Sequence, residues 1–144
     1  MNGKKWDKRF LELAKLVGSW SKDPSTQVGA VIVDDNKRIV SIGFNGFPKG
    51  VEDYEKRLVD REEKYAIIVH AEANALMFAN TSVKGCTLYT WPFQPCSRCA
   101  GLIIQSGIKR VVSVVHYDKR WKKNFEISQK LFTESGIILE LLNG

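Results

Sequence analysis

Three side chains in two short segments have the chemistry to hold a soft divalent metal, and a fourth can move protons beside them. "HAE" supplies His70 and Glu72; "PCSRC" supplies Cys96 and Cys99. Zinc accepts nitrogen, thiolate and carboxylate donors, and its catalytic sites use three protein ligands with one position left open. Cys96 and Cys99 are one helical turn apart at the start of a predicted helix, with Pro95 just ahead. Unpaired N–H groups and the helix dipole favour thiolates there. His70 likewise opens the preceding predicted helix. Two thiolates and a neutral imidazole balance Zn²⁺, so the open position can activate a water by lowering its pKa towards neutrality. A neighbouring carboxylate must then carry the proton, and Glu72 is the candidate.

Other readings of these residues compete. A Cys-x-x-Cys pair can be a redox couple, but such pairs follow the first strand of their fold, whereas this one follows the third predicted strand. A closed Cys₂His₂ structural site using His116 lacks the usual H-x₃₋₅-H pairing and leaves Glu72 without a role. Cys86 opens a strand and reads as a small buried hydrophobe. His116 reads as structural.

The elements that must position these groups follow from periodicity. "KRFLELAKLVGSW" places Phe10, Leu13, Ala14, Leu16, Val17 and Trp20 on one helical face. "VGAVIVD" and "RIVSIGF" are β-branched runs joined as a hairpin through "DNK". "NGFPKGVED" is a loop, and the polar stretch 52–64 shows no clear period. Helix "HAEANALMFAN", strand "CTLYTW", helix "CSRCAGLIIQSG", strand "RVVSVV", a helix over 122–135 and strand "GIILELL" complete the order α-β-β-α-β-α-β-α-β. Helices between the later strands require parallel crossovers, so a mixed sheet covered on both faces is expected.

With 144 residues, 44% of them hydrophobic, the chain is long enough for one core, and residues 1–144 read as a single domain. No apolar run is long enough to span a membrane. "MNGKKWDKRF" lacks the apolar stretch of a signal peptide. Three cysteines do not make a disulfide framework, which fits a reducing cytoplasm. A net charge of +6 points weakly to an anionic partner.

The pattern H-x-E…P-C-x-x-C is the signature of zinc deaminases. "SKDPSTQVGAVIV", "GFNGFPKGVED", "KYAIIVHAEANAL" and "GCTLYTWPFQPCSRCAGLIIQSGIKRV" together resemble the deoxycytidylate (dCMP) deaminase family, over residues 6–142. The resemblance implies a three-layer α/β/α, cytidine-deaminase-like fold with a mixed five-stranded sheet. It implies one zinc per chain on His70, Cys96 and Cys99, because the ligands of a second, structural zinc found in some members are missing. The implied reaction is hydrolysis of dCMP to dUMP and ammonia, feeding thymidylate synthesis, with Glu72 protonating N3 and then the departing amine. Asn45 would hold the sugar 3′-hydroxyl. Lys22, Ser25 and Thr26, with a basic group near Tyr117, would meet the 5′-phosphate. Val28 and Tyr117 would flank the pyrimidine, and the Ala71 backbone N–H would donate to its O2. A homohexamer activated by dCTP and inhibited by dTTP is also implied.

Rival functions remain at this point. dCTP and 5-modified dCMP differ from dCMP by groups that a few side chains read. "KKWDKR" and "KRWKK" interleave aromatics with positive charge as single-strand binders do, but read here as solvated helix faces with tryptophan packed inward. Nucleic acid is therefore not the expected substrate. A non-catalytic zinc-stabilised binding domain would retain metal without an open position.

Overall fold

The computed structural model describes residues 2–144. The order is α1 (Asn2–Gly18), β1 (Gly29–Val33), β2 (Ile39–Phe44), α2 (Glu55–Val59), α3 (Arg61–Ile67), α4 (Ala71–Phe78), β3 (Thr87–Trp91), α5 (Ser97–Ser106), β4 (Arg110–Val114), α6 (Lys122–Ser135) and β5 (Ile138–Leu142). The five strands form one sheet in the order β2-β1-β3-β4-β5. β1 is antiparallel to both β2 and β3, while β3, β4 and β5 run parallel, as their intervening helices require.

Strand alternation divides the core between two faces. Val28, Ala30, Ile32, Leu88 and Val111 pack with Ala71, Ala75, Ala100, Ile103 and Phe132, so α4, α5 and α6 cover one face. Val31, Val33, Tyr89, Val112 and Val114 pack with Phe10, Leu11, Ala14 and Val17, so α1 covers the other. The three-layer α/β/α expectation is met.

Two details depart from the sequence reading. On α1 the buried stripe is Phe10, Leu11, Ala14 and Val17, whereas Leu16 and Trp20 are about half exposed, at 54% and 50%. Trp20 lies beyond the helix end and places its ring edge-on to Phe44 at 6.2 Å. The stretch 52–64 is not featureless, because α2 and the start of α3 lie in it. α2 buries no residue and α3 buries only Lys64, so neither carries an apolar period to read. α3 is N-capped by Asp60, whose side chain accepts from the Glu63 N–H.

Two glycines set how closely helices approach the sheet. A Cβ on Gly29 would lie 1.8 Å from the Ala14 carbonyl oxygen of α1. A Cβ on Gly43 would lie 2.5 Å from both the Ala71 oxygen and the Ala75 nitrogen of α4. Ser41 then reaches the Ala75 carbonyl with its hydroxyl, at 2.6 Å. Among the described residues, no helix is long and apolar enough to cross a membrane.

Candidate active site

His70 and Cys96 are the N-cap residues of α4 and α5, the first turns after separate extended segments. Local contacts fix both starts. Ahead of α4, Gly46 and Val69 exchange backbone hydrogen bonds of 3.1 and 2.8 Å, and Asn74 donates to the Phe44 carbonyl. Ahead of α5, Gln94 donates to the Phe125 carbonyl and to Ser128 of α6. Asn124 accepts from the Ser97 N–H at 2.9 Å and donates to its hydroxyl at 3.0 Å.

The result is convergence. The ligand atoms of His70, Cys96 and Cys99 all lie within 4.8 Å of one another, and His70 Nδ1 is 3.4 Å from each sulfur. Zn–S and Zn–N bonds at a tetrahedral angle imply an S···N separation of about 3.6 Å. The triad is therefore already spaced for the ion. Without a cation the two thiols cannot both ionise. Contact with Cys99 draws Cys96 down to about 4, while contact with Cys96 and burial push Cys99 well above the ordinary thiol range. Contact with Cys96 raises His70, against the opposing effect of its burial. A divalent ion relieves this crowding by accepting both thiolates. Cys86 is buried and lies outside the triad, and burial raises its thiol.

Glu72 is 3% exposed, and burial pushes its carboxyl up to about 7, with His70 partly opposing the rise. A group of that acidity gives and takes protons near neutrality. It lies with His70, Ala71 and Cys96 in a cavity of about 240 Å³.

Ser25, Thr26, Val28 and Asn45 line the same cavity. Asp23 builds this wall. One of its oxygens accepts from the Ser25 N–H at 2.8 Å, the Thr26 N–H at 3.3 Å and Lys64 Nζ at 3.1 Å. The other accepts from Asn45 Nδ2. Asn45 Nδ2 also donates to the Thr26 carbonyl, and Asn45 Oδ1 accepts from the Val28 N–H.

Two expected residues are elsewhere. Lys22 is not in the lining; its side chain is 73% exposed and pairs with Asp53 at 2.9 Å. Tyr117 is 94% exposed and borders a neighbouring cavity together with His116 and Lys122. Arg120, close to Tyr117 in the chain, lines the cavity, as does a set of residues that the sequence reading did not name. Arg61, Lys64 and Arg120 supply positive charge to the lining, and Phe93, Trp121 and Phe125 supply aromatic surface. Trp121 stacks on Phe125 at 5.9 Å. "KRWKK" was the available signal, since Arg120 and Trp121 both border the cavity and do not merely form a solvated face.

Comparison with known proteins agrees with this geometry. The family model for the cytidine and deoxycytidylate deaminase zinc-binding region matches residues 4–115. An uncharacterized deaminase from the luxG 3′ region of Aliivibrio fischeri is 48% identical over 136 residues, covering 92% of this chain and 90% of that protein. Human deoxycytidylate deaminase is 46% identical over 116 residues, which are 74% of this chain but 63% of the human protein's length. Among solved structures, the cyanophage S-TIM5 dCMP deaminase in complex with dCMP and dUMP superposes with a TM-score of 0.76 at 26% identity, covering 96% of this chain and 97% of that one. With its His/Cys/Cys group spaced for one zinc ion, this chain belongs to the cytidine and deoxycytidylate deaminase family.

Proposed function

We propose that this chain hydrolyses dCMP to dUMP and ammonia. The observation that carries the reading is Glu72, buried beside the His70–Cys96–Cys99 group in a cavity that also holds cationic groups suited to a phosphate. Held by His70, Cys96 and Cys99, a zinc ion would supply Lewis-acid activation of a water at neutral pH. The chain's own residues do the rest. Glu72 would take one proton of the water and pass it to ring N3, then take the remaining hydroxyl proton at C4 and pass it to the departing amino group. One water is thus consumed for each ammonia released, and its oxygen stays on C4. Val28 and the Phe93–Trp121–Phe125 cluster, all in the cavity lining, provide apolar surface for the pyrimidine. The Ala71 backbone N–H, in the first turn of α4, donates to O2. Asn45 meets the 3′-hydroxyl, and Ser25 and Thr26 with Arg61 and Arg120 meet the 5′-phosphate.

The finer readings rest on the family resemblance: a single domain over 1–144, a cytoplasmic homohexamer serving pyrimidine biosynthesis, and control by dCTP and dTTP. The test is ammonia release across deoxycytidine, dCMP, dCTP, 5-modified dCMP and oligonucleotides with an internal cytosine. Glu72→Ala should keep about one zinc per chain and lose turnover. Wild-type turnover in that variant removes Glu72 from the mechanism. Faster reaction of an internal cytosine than of dCMP replaces the mononucleotide reading with a polymer one.

A further inference from the structure

Lys64 has a place in the fold that structure alone does not account for. It comes from α3, is 2% exposed, and is the one residue that α3 buries. An ammonium has three donors. Among the described residues, Asp23 Oδ1 is the one hydrogen-bond acceptor that Lys64 Nζ meets, at 3.1 Å, and the flanking Tyr65 ring lies 5.5 Å away. Burying an ammonium is costly unless it is paired and its donors are used. Here a buried cation borders the active-site cavity with donors to spare. An apolar residue at position 64, opposite a neutral residue at 23, would fill this space at lower cost.

We propose that Lys64 reads the substrate's 5′-phosphate and, through Asp23, couples phosphate binding to the orientation of the sugar-holding Asn45. The inference rests on the mononucleotide reading above and adds the residue that enforces it. The Lys64 ammonium is shared between the Asp23 carboxylate and the incoming phosphate. Asp23 in turn holds the Ser25 and Thr26 N–H groups and Asn45 Nδ2, so the phosphate contact and the sugar contact belong to one hydrogen-bonded unit. The arrangement also explains how a carboxylate can sit in the wall of an anion site. Without Lys64, Asp23 would repel the phosphate.

The test compares Asp23→Asn with the double variant Asp23→Asn/Lys64→Met. Asp23→Asn leaves the Lys64 ammonium buried without its carboxylate partner, and the double variant removes both charges. Zinc content and thermal melting verify that each protein is folded at the assay temperature, and where Asp23→Asn is not, the double variant is compared with the wild type. The readouts are the ratio of kcat/KM for dCMP to that for deoxycytidine, and the ratio of affinities for dUMP and deoxyuridine by calorimetry. Asp23→Asn should retain both preferences for the phosphorylated ligand. The double variant should lose roughly 10- to 100-fold of each relative to Asp23→Asn, the value of a charge-assisted hydrogen bond. A purely structural Lys64 would lower both substrates alike and leave the ratios unchanged, which would overturn the inference while the wild-type preference for dCMP stands. A wild type with no preference for dCMP over deoxycytidine would overturn the mononucleotide reading itself, and this inference with it.

Discussion

Replacing Asn45 by alanine should damage both the fold and the substrate contact, and the two effects can be separated. The amide is 5% exposed and makes three hydrogen bonds: Oδ1 accepts from the Val28 N–H at 2.9 Å, and Nδ2 donates to the Thr26 carbonyl at 2.9 Å and to Asp23 Oδ2 at 3.3 Å. A side-chain amide has two donors and two acceptor sites. Both donors are used, so the remaining capacity is one lone pair on Oδ1. Asn45 must therefore accept from the sugar 3′-hydroxyl and cannot donate to it. The variant orphans three groups, each costing about 1 kcal/mol at the low end of the buried range, because the cavity admits water. The sum, about 3 kcal/mol, corresponds to a fall in Tm of roughly 6–12 °C for a chain of this size. Zinc content should hold, since none of the three partners belongs to the metal group. The substrate contact is isolated by a cycle in which dCMP and its 3′-deoxy analogue are each assayed with wild type and variant below the variant's Tm. Loss of the 3′-hydroxyl should cost the wild type about 2- to 10-fold in kcat/KM and the variant nothing. Equal costs in both proteins would refute the sugar contact. An unchanged Tm would refute the stabilising network.

Other perturbations have distinct outcomes. Cys96→Ser and Cys99→Ser should each lose zinc by elemental analysis and melt earlier, because metal binding is also folding free energy, whereas Cys86→Ser should keep the metal. Lys22→Ala should leave kcat/KM for dCMP within about twofold, since an exposed pair with Asp53 contributes little, while Arg120→Ala should raise KM for dCMP more than for deoxycytidine. Away from the site, Asp7 is 2% exposed and bonds Arg110 and the Tyr89 hydroxyl, the latter at 2.7 Å. Asp7→Ala should cost about 3 kcal/mol of stability in denaturant titration, the low end for a broken buried pair because Arg110 keeps Glu140, with kcat unchanged below the melt.

The metal triad and its acid were legible from spacing, because each sits in the first turn of a helix following an extended segment, and local sequence marks such starts. The parallel half of the sheet was legible for a similar reason: the helices before β4 and β5 leave no tight turn between those strands. What the linear pattern could not show was which residues from distant segments meet. Lys64 and Asp23 are 41 positions apart, and Trp121 joins a cavity whose metal end begins at His70. Neither α2 nor α3 carries an apolar stripe, so nothing in the periodicity announced that α3 would carry a buried lysine to the active site. Lys22 is adjacent to Asp23 in the chain, yet its side chain goes to solvent and Lys64 supplies the buried charge. By itself the sequence determined the reactive groups and the elements bearing them, since those depend on residue type and short-range spacing. The tertiary structure alone decided which cations and aromatic rings line the cavity, because that depends on how segments far apart in the chain pack around it.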